Sequence, residues 1–163
     1  MMDGHEVAAA LRGCGVTHVV WVPDSALGLW DEALRADPGL KLIRACREGE
    51  AIGIAGGLLL GGARPVVLIQ CTGLFEAGDA LRNVVHDLGL PLFLVVGVRN
   101  LLPHRKGATT DNCPVFTEPI VQAWRLPYTV LDERHTAADL AEAYRRAAGS
   151  GQAAAVLLAE GGA

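Results

Sequence analysis

The sequence predicts an α/β chain: a single domain built on an open six-stranded parallel sheet with helices on both faces. Three observations lead there. Short apolar runs alternate with amphipathic stretches along the whole chain. Most of the runs are apolar throughout rather than at every second position, as in strands covered on both faces. The stretches between them are long enough for right-handed crossovers, and several stop at a glycine.

The elements follow in order. A helix over His5–Gly15 ("HEVAAALRGCG") leads into a strand at His18–Val22 ("HVVWV"). A second helix over Ser25–Ala36 precedes the strand Lys41–Ala45, and a third over Glu50–Gly62 precedes Pro65–Cys71. A fourth helix over Glu76–Gly89 leads to the strand Pro91–Val98 ("PLFLVVGV"). Then comes a long irregular piece, Arg99 to Cys113, of a length that in a compact domain is usually functional. Helices over Pro114–Arg125 and Thr136–Gly149 flank the strand Tyr128–Asp132, and Ala153–Ala159 is the last strand.

Composition bounds the function. The 163 residues suffice for one domain with a real core, 51% of them are hydrophobic, and mean hydropathy is +0.31. No apolar run approaches the roughly 20 residues of a membrane span. The acidic start "MMDGHEV" lacks the basic residues of a signal peptide, so a cytoplasmic chain is expected. A net charge of −4 speaks against a nucleic-acid partner. Cys14, Cys46, Cys71 and Cys113 stand far apart without a C-x-x-C pair, which suits inert thiols better than a zinc knuckle or a disulfide framework.

In open parallel sheets, ligands collect at the carboxyl ends of the strands. There the sequence places "PDSALG", "CREGEA", "CTGLFEAGD" and the long piece from Arg99. No Gly-x-Gly-x-x-Gly follows the first strand, which disfavours a dinucleotide-binding domain. Glu48 and Glu50 open the third helix, where the helix dipole favours carboxylates. Its interior glycines Gly53, Gly56 and Gly57 cost helix stability and are expected to share a face that something approaches closely. Ser25 reads either as an N-cap or as a polar contact to a substrate carboxylate. Arg99, His104, Arg105 and Lys106 concentrate positive charge, and an arginine there would suit an acidic substrate. Trp21, Trp30 and Trp124 read as core or interface anchors, and His86 as a surface residue.

Three blocks together resemble a known family. "REGEAIGIAGG" resembles the glutamate-bearing helix of the pyrimidine-binding (PYR) domain in thiamine-diphosphate enzymes, in which the glycine of an Ala-x-Gly ending follows the glutamate by nine residues. Counting back from Gly57 in Ala55-Gly56-Gly57 lands on Glu48. "WVPDSALG" and "IQCTGLFEAGDALRN" are similar to the turns after the first and third strands of sulfopyruvate and phosphonopyruvate decarboxylases. Cys71 and the pair Phe75-Glu76 depart from that pattern.

The resemblance implies the pyrimidine-binding subunit of a two-chain, thiamine-diphosphate-dependent 2-oxoacid decarboxylase, with a role for each matching residue. Glu48 would hydrogen-bond the aminopyrimidine nitrogen N1′ and activate the cofactor. Thr72, Gly73, Leu74 and Phe75 would form a loop against thiamine diphosphate. Ser25 and Arg99 would meet the substrate, a small 2-oxoacid. Residues 1–163 would then be one PYR domain, and the diphosphate-binding (PP) domain with its Mg²⁺ site would lie on a β-subunit partner in a heterotetramer or larger assembly. Gly78-Asp79-Ala80 with Asn100 is a poor match to the Mg²⁺ motif, so no metal ligand is expected here. A carboligase subunit, or a PYR-like structural or regulatory subunit without activity, are the alternatives.

Overall fold

A computed structural model describes residues 2–25 and 27–159. Its sheet has six strands, all parallel, in the order β2-β1-β3-β4-β6-β5. These are β1 (His18–Trp21), β2 (Lys41–Arg44), β3 (Pro65–Gln70), β4 (Phe93–Val98), β5 (Tyr128–Leu131) and β6 (Ala154–Ala159). Every strand lies where its apolar run predicts. The central strands β3 and β4 are buried along nearly their whole length, whereas the edge strand β2 exposes Lys41 and Arg44. Charge on an edge strand blocks pairing with another sheet.

Helices cover both faces. On one side α1 (Gly4–Gly13), α2 (Asp31–Ala36) and α8 (Ala137–Ser150) pack over a core of Leu11, Trp21, Trp30, Leu34, Leu68, Phe93 and Tyr144. Asp3 caps α1 by accepting from the His5 and Glu6 backbone N–H groups, and Thr136 with Asp139 forms a capping box on α8. On the other side lie α3 (Glu48–Leu60), α4 (Cys71–Glu76), α5 (Gly78–Leu81), α6 (Leu101–Arg105) and α7 (Cys113–Ala123), over a core that includes Ile52, Ile69, Leu74, Leu81, Leu94 and Val96. Among the described residues no helix is long and apolar enough to cross a membrane.

Three elements differ from expectation. The helix expected over Ser25–Ala36 is a 3₁₀ turn at Gly28–Trp30 followed by the six-residue α2. The helical segment after β3 starts at Cys71 rather than Glu76, because Cys71 and Leu74 form an inward stripe at helical spacing. It then runs through α5 into a π-helical stretch, Arg82–Asp87. The long irregular piece contains α6, started by Asn100 in the left-handed region (φ 56°).

Candidate functional site

Strand β1 has β2 on one side and β3 on the other, so the order of strand addition reverses after β2. The crevice between the carboxyl ends of β1 and β3 is where such a sheet receives a ligand. Polar contacts span it. The Asp24 carboxylate accepts from Trp21 Nε1 (3.2 Å), from the Leu27 backbone N–H (2.8 Å) and from Gln70 Nε2 (3.3 Å). Gln70 Nε2 also lies 3.4 Å from Ser25 Oγ. Ser25 is exposed beside the crevice and caps no helix; the capping side chain of this turn is Asp24. Sequence reasoning passed over Asp24, although an Asp after a proline at a strand end is an Asx-turn signal.

Glu48 is the first residue of α3, at the same end of the sheet. The two neighbouring acids are engaged. Glu50 accepts from the Cys46 backbone N–H (2.9 Å), so it serves the helix end. Glu76, arriving from α4, accepts from the Gly49 backbone N–H (2.9 Å) and pairs with Arg47 (3.5 Å). The half-buried Glu48 carboxylate makes no hydrogen bond or ion pair with any described residue. It lies directly over Gly73, where a Cβ would stand 2.6 Å from Glu48 Cδ. The missing side chain of Gly73 is therefore the space that the Glu48 side chain fills.

The glycines of α3 divide. Gly56 faces inward, with Val84 Cγ2 3.1 Å from the position of a Cβ, whereas Gly53 and Gly57 are exposed with nothing near. The expectation of one shared face is thus corrected: at 100° per residue, Gly56 and Gly57 point apart.

The residues expected to form a loop at Thr72–Phe75 lie within α4 instead. Thr72 is exposed, Leu74 is wholly buried as a core residue, and Phe75 packs partly against the same core. Cys71 and Cys113 begin α4 and α7, and both are buried. Burial, and then the adjacent Cys113, push the Cys71 thiol up to about 11, which keeps it protonated and unreactive at neutral pH.

Arg99, just after β4, is tied down rather than free. Its Nε donates to Asp111 Oδ2 (2.9 Å), and its Nη2 lies 3.2 Å from Cys113 Sγ. The Asp111 carboxyl sits at about 2, below its ordinary 3.8, first because it accepts from the Cys113 backbone N–H (2.9 Å) and next because it accepts from Asn100 Nδ2 (3.1 Å). A depressed carboxyl stabilises the fold fully above its unfolded pKa, and that stabilisation is lost as pH falls through the folded value. Melting temperatures of wild type and Asp111→Asn are therefore expected to converge as pH drops from about 4 to about 2. A gap that stays constant over that range would show that Asp111 does not hold the segment.

Among the described residues no group of three or more His, Cys, Asp or Glu gathers as a metal site. Asp79 pairs with Arg82 (3.0 Å) and Asn100 with Asp111 (3.1 Å), so each engages a partner other than the other. Hollows of about 250 and 350 Å³ lie at the opposite, amino-terminal edge of the sheet, near Phe93, Tyr128 and Arg125. They contain none of the residues singled out for chemistry, whereas the crevice does.

A family model described as "Thiamine pyrophosphate enzyme, N-terminal TPP binding domain" matches residues 2–116. The chain is 28% identical over 148 residues to phosphonopyruvate decarboxylase of Streptomyces viridochromogenes, covering 84% of this chain and 36% of that protein. It is 27% identical over 128 residues to sulfopyruvate decarboxylase subunit alpha of Methanococcus maripaludis, covering 78% and 76%. The same subunit of Methanothermobacter thermautotrophicus is 28% identical over 93 residues, covering 57% and 56%. The chain thus spans about a third of the phosphonopyruvate decarboxylase and about three quarters of the Methanococcus maripaludis subunit.

Proposed function

The chain belongs to the family of thiamine pyrophosphate enzyme N-terminal TPP-binding domains, and from that premise we propose that it is the pyrimidine-binding half of a thiamine-diphosphate-dependent 2-oxoacid decarboxylase. The observation that carries the reading is Glu48: a carboxylate at a helix start, at the carboxyl edge of the sheet, without a partner among the described residues and seated in the space left by Gly73. An acid so placed fits the aminopyrimidine ring of the cofactor, whose N1′ needs a proton-sharing partner. Bound thiamine diphosphate supplies the electron sink for loss of carbon dioxide from a 2-oxoacid.

The chain's own residues have narrower tasks. Glu48 holds a proton at N1′ and sets the protonation state of the ring. Gly73 keeps clear the space that the Glu48 side chain occupies. Thr72 is exposed in the first turn of α4, just after the carboxyl end of β3, while Leu74 and Phe75 pack into the core. Ser25 and Gln70 offer polar contacts to a substrate carboxylate across the crevice. Arg99 offers a positive charge, already oriented by Asp111.

The diphosphate and Mg²⁺ are assigned to a partner subunit, and two relatives carry the name subunit alpha. We take residues 1–163 as one PYR-type domain. Sulfopyruvate and phosphonopyruvate, named in the relatives, are the first substrates to try.

The test is gentle affinity purification of the chain from its own cells, with native mass spectrometry and an assay of carbon dioxide release. The expected result is a second subunit, thiamine diphosphate, a divalent metal, and turnover of one of these acids. A chain that arrives alone, and releases no carbon dioxide when thiamine diphosphate and Mg²⁺ are added, would overturn the proposal.

A further inference from the structure

The first turn of α3 lacks a cap of its own. Arg47 occupies the capping position without a side-chain hydrogen bond, and Glu50 is committed to Cys46. A helix start leaves four backbone N–H groups without partners inside the helix. One of them, Gly49 N–H, is taken by Glu76 Oε2 at 2.9 Å, from a different helix and 27 residues away in sequence. The other oxygen of Glu76 pairs with Arg47 at 3.5 Å. Glu76 therefore grips the residues on either side of Glu48 and leaves Glu48 itself untouched.

The grip comes from the helix that also makes room for Glu48. Gly73 and Glu76 are three apart on α4, hence on one face of it. One provides a gap under the Glu48 side chain, and the other holds the backbone that carries that side chain.

We infer that Glu76 is a positioning residue: it fixes the first turn of α3 so that the Glu48 carboxylate is presented to the cofactor's pyrimidine ring at the crevice. The inference rests on the proposed function. Glu76 touches neither cofactor nor substrate in this role and acts through Arg47 and Gly49. Its glutamine analogue keeps an oxygen to accept from Gly49 N–H and loses only the charge toward Arg47, whereas alanine loses both.

The test compares wild type, Glu76→Gln and Glu76→Ala in the full chain with its co-purified subunit. Two readouts are taken: hydrogen exchange at the Gly49 amide, and titration with thiamine diphosphate in the presence of Mg²⁺. The expected result for Glu76→Ala is Gly49 exchange faster by about 10-fold and cofactor binding weaker by about 10-fold, with Glu76→Gln restoring most of both. Faster exchange with wild-type cofactor binding would reduce Glu76 to a helix cap and overturn the inference while the functional proposal stands. Unchanged exchange in Glu76→Ala would overturn it directly. Wild type that binds no thiamine diphosphate would sink the functional proposal, and the inference with it, independently of any change at Glu76.

Discussion

Glu48→Gln in the assembled enzyme is expected to lower kcat by about 10²–10⁴-fold, the usual contribution of a positioned acid–base group, and to leave the fold standing. The amide has nearly the shape of the acid, and among the described residues the carboxylate has no bond that would be lost. The one structural cost is the negative charge in the first turn of α3, about 0.3–1 kcal/mol through the helix dipole. For a chain of this size that amounts to at most about 4 °C in melting temperature. Steady-state assays beside a thermal melt make the comparison. Substantial turnover in the variant would remove Glu48 from the chemistry, and a collapsed melting curve would show that the carboxylate had been structural.

Gly73→Ala is expected to separate stability from function in the same sense. A Cβ at that position would stand 2.6 Å from Glu48 Cδ, so the Glu48 side chain must move. It is half-buried at the open end of α3 and can swing toward solvent, which limits the overpacking cost. Alanine in place of a helical glycine meanwhile stabilises by about 0.5–1 kcal/mol. The melting temperature is therefore expected to hold or rise slightly. Cofactor-dependent turnover is expected to fall by about 10²-fold or more, since a misplacement of about 1 Å can cost that much. An active Gly73→Ala variant would mean that Glu48 reaches the ring from another position.

Most strands were legible because they are runs of apolar residues, and the central ones are buried on both faces, a pattern that depends on no other part of the chain. Glu48 was singled out by the nine-residue count back from Gly57 that the family resemblance supplies; the helix pattern alone offered Glu48 and Glu50 alike, and the structure starts α3 at Glu48. The turn after β3 was harder to read. "CTGLFE" carries glycine and threonine in a place that reads as loop, and only Leu74 beneath it shows that the segment is helical. The partners of Arg99, Asp24 and Glu76 are long-range contacts or depend on a turn's exact geometry, and propensity carries no information about either. The same holds for Gly73: its purpose appears only when a residue 25 positions earlier, Glu48, is laid over it.

The reversal of strand order also sets a schedule for the nascent chain. Once synthesis has passed Leu60, β1 and β2 can pair and α3 can form beside them, with Glu48 already in place at its start. The opposite wall of the crevice, β3 with Gln70, and the α4 helix with Gly73 and Glu76, do not yet exist at that length. Until they emerge from the ribosome, the acid lies on an unfinished surface whose apolar strand edge is open to wrong partners. The order of residues along the chain thus makes β3 the piece on which both the pairing of the free edge of β1 and the completion of the site wait.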